Sequence, residues 1–403
     1  MSSHRPEHAQ VASPAALRPL YAAGFVTAFG AHSIAASLGG YTHDQHASLL
    51  TLGLLLAVYD GAEVVGKPVF GTLADRIGAR PVLLGGLVAF ALASAGFVLA
   101  DDPALVGIAR LGQGIAAAAF SPAAGSLVAR LTPEHARGHR FGNYGAWKGL
   151  GYTLGPVLGG ILVTAGGYRL LFTVLTVLAL TAAAWALAAV PATPPLPRTR
   201  QTLLDLARRL TSAGFVPPTL ALASATAAIA VGVGFLPVAG AAHGLSPLAT
   251  GAVVSLLAAT AALVQPRAGR AHDTGRLAAR TGLTLGLVLA AAGAATAAAA
   301  AGPVTVTVAA VLIGVGTGIT TPIGFARLAA TTPPERLGQT LGAAEVGREL
   351  GDAGGPLLVG ALASIATLTI GMLSLAALLT ATAAAAWAGS GRRRPQSPPT
   401  APS

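Results

Sequence analysis

Gly151-Tyr-Thr-Leu-Gly155-Pro156-Val-Leu-Gly159-Gly160 returns 200 residues later as Gly351-Asp-Ala-Gly-Gly355-Pro356-Leu-Leu-Val-Gly360. Read backward at the same offset, Lys148 meets Arg348, Gly142 meets Gly342 and Gly138 meets Gly338. Thr132-Pro133 then meets Thr332-Pro333, and Pro122 meets Pro322. Self-similarity at a fixed offset marks an internal repeat. The chain is therefore expected to consist of two equivalent halves.

Composition says what medium those halves occupy. Hydrophobic residues make up 53% of the chain and charged residues 10%, against the roughly 25% charge of soluble domains. Mean hydropathy is +0.68. Apolar stretches run near 19–39, 48–70, 81–100, 103–126, 141–165, 168–190, 214–240, 247–266, 281–300, 303–326, 339–362 and 365–388. Each is long enough for a hydrocarbon core of roughly 30 Å. They predict an all-α integral membrane protein with twelve transmembrane helices in two pseudo-symmetric six-helix bundles, 18–190 and 214–388. The polar segment 1–17 lacks a cleavage context behind the first apolar run, which reads as a retained span. The chain has no cysteine, so disulfides and thiolate metal sites are excluded.

The formal charge of +11 is sorted rather than spread. With the N-terminus inside, Arg76, Arg80, Arg130, Arg137, Arg140, Arg198, Arg200, Arg208, Arg209, Arg267, Arg270, Arg276, Arg280, Arg336 and the Arg392-Arg393-Arg394 tail fall on the cytoplasmic side. Opposite loops hold Arg169 beside Asp44, Asp101 and Asp102. This positive-inside bias predicts a multi-pass plasma (inner) membrane protein with both termini cytoplasmic. The basic residues then serve topology and anionic lipids rather than nucleic acid. The linker 191–213 opens on a proline run that no helix interior accommodates, followed by Leu and Arg at the spacing of a short interfacial helix. The tail 389–403 is rich in Pro and Ser and reads as disordered.

Three motifs carry a family resemblance. Between the second and third spans stands Gly71-Thr-Leu-Ala-Asp75-Arg76-Ile-Gly78-Ala-Arg80, after Lys67-Pro68. It resembles the loop motif of the major facilitator superfamily, with Ala79 where Arg is usual. A degraded copy, Gln265-Pro266-Arg-Ala-Gly269-Arg-Ala-His-Asp273-Thr-Gly275-Arg276, fills the equivalent place in the second half. Glycines let helix ends approach closely, and an Asp at such a junction can accept from the N-terminus of a neighbouring helix. The resemblance implies that Asp75 and Arg76, framed by Gly71 and Gly78, form a conformational latch. A plain topology-setting loop is the alternative, which the duplication disfavours.

In the fourth span, Arg110-Leu-Gly-Gln113-Gly114 is similar to the intramembrane Arg motif of proton-coupled facilitators. Placing Arg at membrane depth costs roughly 2.5–3.5 kcal/mol, so it needs a partner or a task. The resemblance implies that Arg110 governs proton transfer at a nearby carboxyl; snorkelling to the outer surface is the other reading. The element Gly151, Gly155, Pro156, Gly159, Gly160 resembles a motif found mainly in antiporters, above all drug:proton exporters. Its small residues suit tight helix packing, and its proline favours a bend.

The second span carries Asp60, Glu63 and Lys67 along one helical face. Glu63 and Lys67 can pair, leaving Asp60 less compensated. The equivalent positions of the eighth span are Ala258, Ala261 and Gln265, so the shared packing does not require these charges. The eleventh span places Glu345, Arg348, Glu349 and Asp352 at the same spacings. A buried carboxyl poised near working pH suits proton coupling; a wholly structural ion-paired network is the alternative. Asp352, nearest mid-membrane, is the second-half candidate; Lys148 and Arg348 are expected to face each other across the pseudo-two-fold, and Glu345 suits either the coupling site or a cytoplasm-side network with one of them. His32 reads as a hydrogen-bonded packing residue, while Tyr59, Tyr144, Trp147 and Tyr152 suit a cavity wall or core packing.

Together these features imply a secondary active transporter on the major facilitator fold, working by alternating access between the halves. The resemblance favours export of a small organic solute or drug in exchange for protons, by a monomer without cofactors. Import by a symporter or uniporter is the second reading, since Lys67, Arg110, Lys148 and Arg348 would also suit an anionic solute. A non-transporting membrane sensor is the third. No phosphate-binding loop supports nucleotide drive, and no nucleophile–base pair or metal cluster suggests an enzyme.

Overall fold

The computed structural model describes residues 14–44, 49–99, 103–193, 195, 208, 210–212, 214–299 and 301–389. Most of the expected tails and linker, including its interfacial helix, lies outside the described residues. The first half comprises α1 (Pro14–Asp44), α2 (Leu49–Ile77), α3 (Ala79–Val98) and α4 (Pro103–Arg130), then one helical stretch, Arg137–Ala189. That stretch breaks at Gly166 and Gly167 into α5 (137–165) and α6 (168–189). Gly167 has φ 71°, a left-handed conformation that glycine adopts without strain. The backbone stays helical through Pro156, so the break falls a full ten residues beyond the proline.

The second half repeats the order with α7 (Val216–Ala242), α8 (Pro247–Asp273), α9 (Ala279–Ala298), α10 (Pro303–Thr331), α11 (Leu337–Ile365) and α12 (Leu368–Gly389). Short 3-10 turns, Glu134–Ala136 and Pro334–Arg336, introduce α5 and α11. No strand occurs among the described residues. Among the described residues, eight helical segments are long and apolar enough to cross a membrane, with 134–189 counted as one. Outside that set fall α1, α2 and α11; the last two carry Asp60, Glu63, Lys67, Glu345, Arg348, Glu349 and Asp352.

Packing follows the repeat. In the first half α1 lies on α5, α2 on α4, and α3 on α4 and α6; in the second α7 lies on α11, α8 on α10, and α9 on α10 and α12. The halves meet through α2 on α11 and α5 on α8, the same pairing taken twice. Glycine makes the crossings close: Gly71 lies against the Gly338 backbone and Gly138 against that of Gly269. Phe141 of α5 also stacks on Phe325 of α10, with centroids 5.5 Å apart. These contacts all gather at one end. Midway along α2 and α11, Asp60 and Asp352 are exposed and lie within electrostatic reach of each other. The crevice between the halves is thus sealed at the arginine-rich end and open beyond it.

One expectation is corrected here. Gly71 to Ile77 belongs to the last turns of α2 rather than to a loop, and only Gly78 (φ 98°) makes the turn into α3. Its counterpart likewise lies mostly within α8. The physical reason is the crossing itself: glycines present a flat face to a partner only while the backbone stays helical. Leucine at Gly71 is therefore expected to hold the sealed end apart. In a Gln339→Cys background, an impermeant maleimide should label the Gly71→Leu chain much faster than its parent.

Candidate functional site

The sealed end is built from two equivalent carboxylate contacts. Asp75, at the end of α2, accepts from the backbone N–H groups of Gly338 (2.9 Å) and Gln339 (2.8 Å), where α11 begins. Asp273, at the end of α8, accepts from Gly138 (2.8 Å) and His139 (2.7 Å), where α5 begins. Each carboxylate meets the unpaired N–H groups and positive pole of a helix from the other half. Arg76 is exposed and takes no part in these hydrogen bonds. Asp273 thus matches Asp75 in its contacts, and its signal in the sequence is the degraded copy of the motif, which is not by itself enough to mark it as a latch residue.

Next toward the crevice lies a charge cluster that joins the halves. Lys67, wholly buried, pairs with Glu63 (2.7 Å) of its own helix, and with Glu349 (2.5 Å) and Glu345 (3.6 Å) of α11. Glu345 also meets Lys148 at 3.9 Å and Arg348 at 3.0 Å. Three carboxylates thereby face three cations, a neutral set in a low-dielectric setting. Lys148 and Arg348 do not face each other directly: Glu345 stands between them and screens their repulsion. Arg348 also donates from Nε to Thr226 Oγ1 (3.2 Å), and Lys148 to Ser121 Oγ (3.4 Å).

Asp60 and Asp352 stand apart. Both are exposed, and no ion pair or hydrogen bond joins either side chain to another described residue. His32 is exposed nearby on α1, with Nδ1 on Ala28 O (3.2 Å) and its ring 4.3 Å from that of Tyr152.

Arg110 is buried, with 2% exposure, and does not snorkel. Its guanidinium sits 4.3 Å above the Tyr59 ring. It also reaches Leu55 O (3.4 Å) and Gln113 Oε1 (3.5 Å), and Gln113 donates in turn to Ser94 Oγ at 3.1 Å. The charge is thus held by a ring face, a carbonyl and an amide, with no carboxylate in contact among the described residues. Tyr59 is adjacent in sequence to Asp60, so the α4 guanidinium lies against the turn of α2 that carries the unpaired acid. Sequence alone gave Tyr59 only as wall or packing; that it lies beneath Arg110 depends on the α2–α4 crossing.

The Gly-Pro element packs on α1. Gly151, Gly155 and Gly159 press on the backbone and small side chains between Phe25 and Ser33, and Ser33 Oγ donates to Gly155 O at 2.9 Å. Pro156 is exposed and Gly160 has open space around it, so the close-packed stripe is three glycines, one per turn. In the second half Gly351 and Gly355 press on α7 at Ala223 and Ala227, while Val359 replaces the third glycine and packs on Gly371. Trp147 is half exposed and meets Phe25 edge-on; Tyr144 is buried.

Two pseudo-symmetric helical halves around a one-sided crevice lined with charge are the build of a multi-pass membrane transporter. The sequence profile described as Major Facilitator Superfamily matches residues 20–274 and 218–403. The chain belongs to the Major Facilitator Superfamily and resembles its drug:proton antiporter branch. It is 43% identical over 108 residues to the tetracycline resistance protein, class E, of Escherichia coli, covering 27% of this chain and 26% of that protein. It is 30% identical over 111 residues to the quinolone resistance protein NorA of Staphylococcus aureus (strain Mu50 / ATCC 700699), covering 28% and 29%. The chain thus matches little more than a quarter of the length of these relatives. The fold is shared with the human organic anion transporter MFSD10 (TM-score 0.77, 18% identity, 95% of this chain and 100% of that one). It is shared too with the transporter FucP in its outward conformation (TM-score 0.79, 14% identity, 93% and 99%).

Proposed function

We propose that this chain is a proton-coupled antiporter that exports small organic molecules or drugs by alternating access. In this reading its helices cross the bilayer twelve times, both termini are cytoplasmic, and a monomer rocks between the bodies 18–190 and 214–388. The sealed end is then cytoplasmic and the crevice opens outward. Asp60 and Glu63 carry protons, with Asp352 as a second-half site, and Arg110 tunes them. Asp75 and Asp273 latch the closed end. The observation that carries the reading is the contrast among acids: Glu63, Glu345 and Glu349 are paired, whereas Asp60 and Asp352 meet the crevice unpaired. An acid able to exchange protons with the outside must be reachable there and free of a fixed cation. Glu63 becomes such an acid only when Lys67 leaves it, which ties its proton to the change of state. The resistance functions in the names of the two bacterial relatives add support for export.

The test is transport into inverted vesicles. With an acid interior, a candidate drug should accumulate, and its addition should dissipate the gradient. If the gradient neither drives uptake nor collapses on addition of any of a broad drug panel, antiport is wrong. Symport or uniport of an anion is the second reading. It is favoured by Arg110, a buried cation touching no carboxylate among the described residues, and its proton-symport form predicts that external solute alkalinises the medium around intact cells.

A further inference from the structure

Beside the Asp273 contact, the sealed end holds a cavity of about 650 Å³ between α5, α8 and the turn into α9, lined by His139, Asn143, Arg267, Arg270, Thr274 and Arg276. All three arginines are exposed. Arg267 donates to Leu263 O (2.6 Å) within its own helix, while the guanidinium groups of Arg270 and Arg276 have no partner among the described residues. The adjacent carboxylate, Asp273, has both oxygens committed to Gly138 and His139. His139 is committed as well: Nδ1 donates to Pro266 O (3.0 Å) and Nε2 accepts from Asn143 (3.3 Å). The cavity therefore presents uncompensated positive charge on a fixed frame.

Packing does not demand this charge. In the register that pairs Asp75 with Asp273, the three arginines correspond to Val69, Thr72 and Gly78 of the first half. The same helix crossing is made there with none of these three arginines. Further up the helix, Arg267 is preceded on the same exposed face by Leu263 and Leu256, 62% and 37% exposed. An apolar stripe leading into an arginine cluster at a helix end matches an acyl chain ending in a phosphate. Arginine suits that phosphate through its planar fork of donors.

We propose that this cavity binds the phosphodiester headgroup of an anionic phospholipid, bridging α5 of one half to α8 of the other. The inference stands whichever solute the protein carries. The experiment uses the full-length protein in neutral detergent, titrated with phosphatidylglycerol, phosphatidylcholine or inorganic phosphate, with bound species counted by native mass spectrometry. The parent should retain phosphatidylglycerol in preference to phosphatidylcholine. At about one surface-arginine contribution each, affinity should fall about fivefold in Arg270→Gln and on the order of 100-fold in the triple variant Arg267→Gln/Arg270→Gln/Arg276→Gln. Arg169→Gln, at the opposite end, should bind as the parent does. Equal phosphatidylglycerol affinity in parent and variants would overturn the proposal. Inorganic phosphate displacing the lipid at comparable concentration would also overturn it, in favour of a soluble anion. Should the triple variant fail to fold, the single Arg270→Gln change decides the question alone, since that side chain is exposed.

Discussion

Asparagine in place of Asp60 is expected to reduce proton-driven accumulation of the exported solute to near background, with folding intact. The change removes a titratable group while conserving size, and Asp60 makes no ion pair or hydrogen bond with a described residue whose loss would unfold the chain. Transport should split cleanly. Counterflow of labelled for unlabelled solute, which needs rocking but no net proton movement, should persist; uptake driven by an acid interior should not. Solute binding to the Asp60→Asn chain should also lose most of its pH dependence. If accumulation in inverted vesicles carrying Asp60→Asn equals that of the parent, this acid does not carry the coupled proton. Asp352→Asn should produce a smaller loss, and the double variant should resemble Asp60→Asn alone.

The second large effect is expected at Lys67. Methionine there keeps most of the volume but strips the cation from a cluster holding Glu63, Glu345 and Glu349 at 2.5–3.6 Å. Removing one partner of a buried pair costs about 3–5 kcal/mol, because the remaining charge is left uncompensated. Lys67→Met should therefore lower the melting temperature of the purified protein sharply and reduce its yield. Glu349→Gln in the same chain should recover part of that loss by removing one uncompensated carboxylate. A Lys67→Met protein as stable as the parent would mean that Lys148 and Arg348 alone suffice to balance the cluster.

The two halves and their equivalence were legible because the repeat survives in residues that packing constrains most, the glycines and prolines of α4, α5, α10 and α11. The Glu63–Lys67 pair was legible as well, being local to one helix. What could not be read was the choice of partner across the halves. Lys67 pairs with Glu345 and Glu349 as well as with Glu63 of its own helix, which follows from how α2 crosses α11 and which no spacing encodes. The same crossing explains why Gly71 to Ile77 is helix and only Gly78 is turn. Gly160 illustrates a further gap: a residue can match a motif and still face open space, since a stripe of one glycine per turn suffices to seat α5 on α1. The basic cavity was hidden for a related reason. Its arginines read as topology determinants and anionic-lipid contacts spread along the basic side, and only the crossing of α5 with α8 gathers them around a single hollow.

The central claim is that the ends of this molecule open and close in opposition and that protons bias the balance. The chain has no cysteine, so spin labels can be placed at will on exposed sites. One pair, Ile77 with Pro334, reports the sealed end, and another, Leu99 with Ile365, reports the open one. Distances measured in lipid nanodiscs at acid and alkaline pH should shift reciprocally, one pair lengthening as the other shortens, and Asp60→Asn should blunt the response. Two distances that stay fixed, or lengthen together, across that pH range would contradict the account.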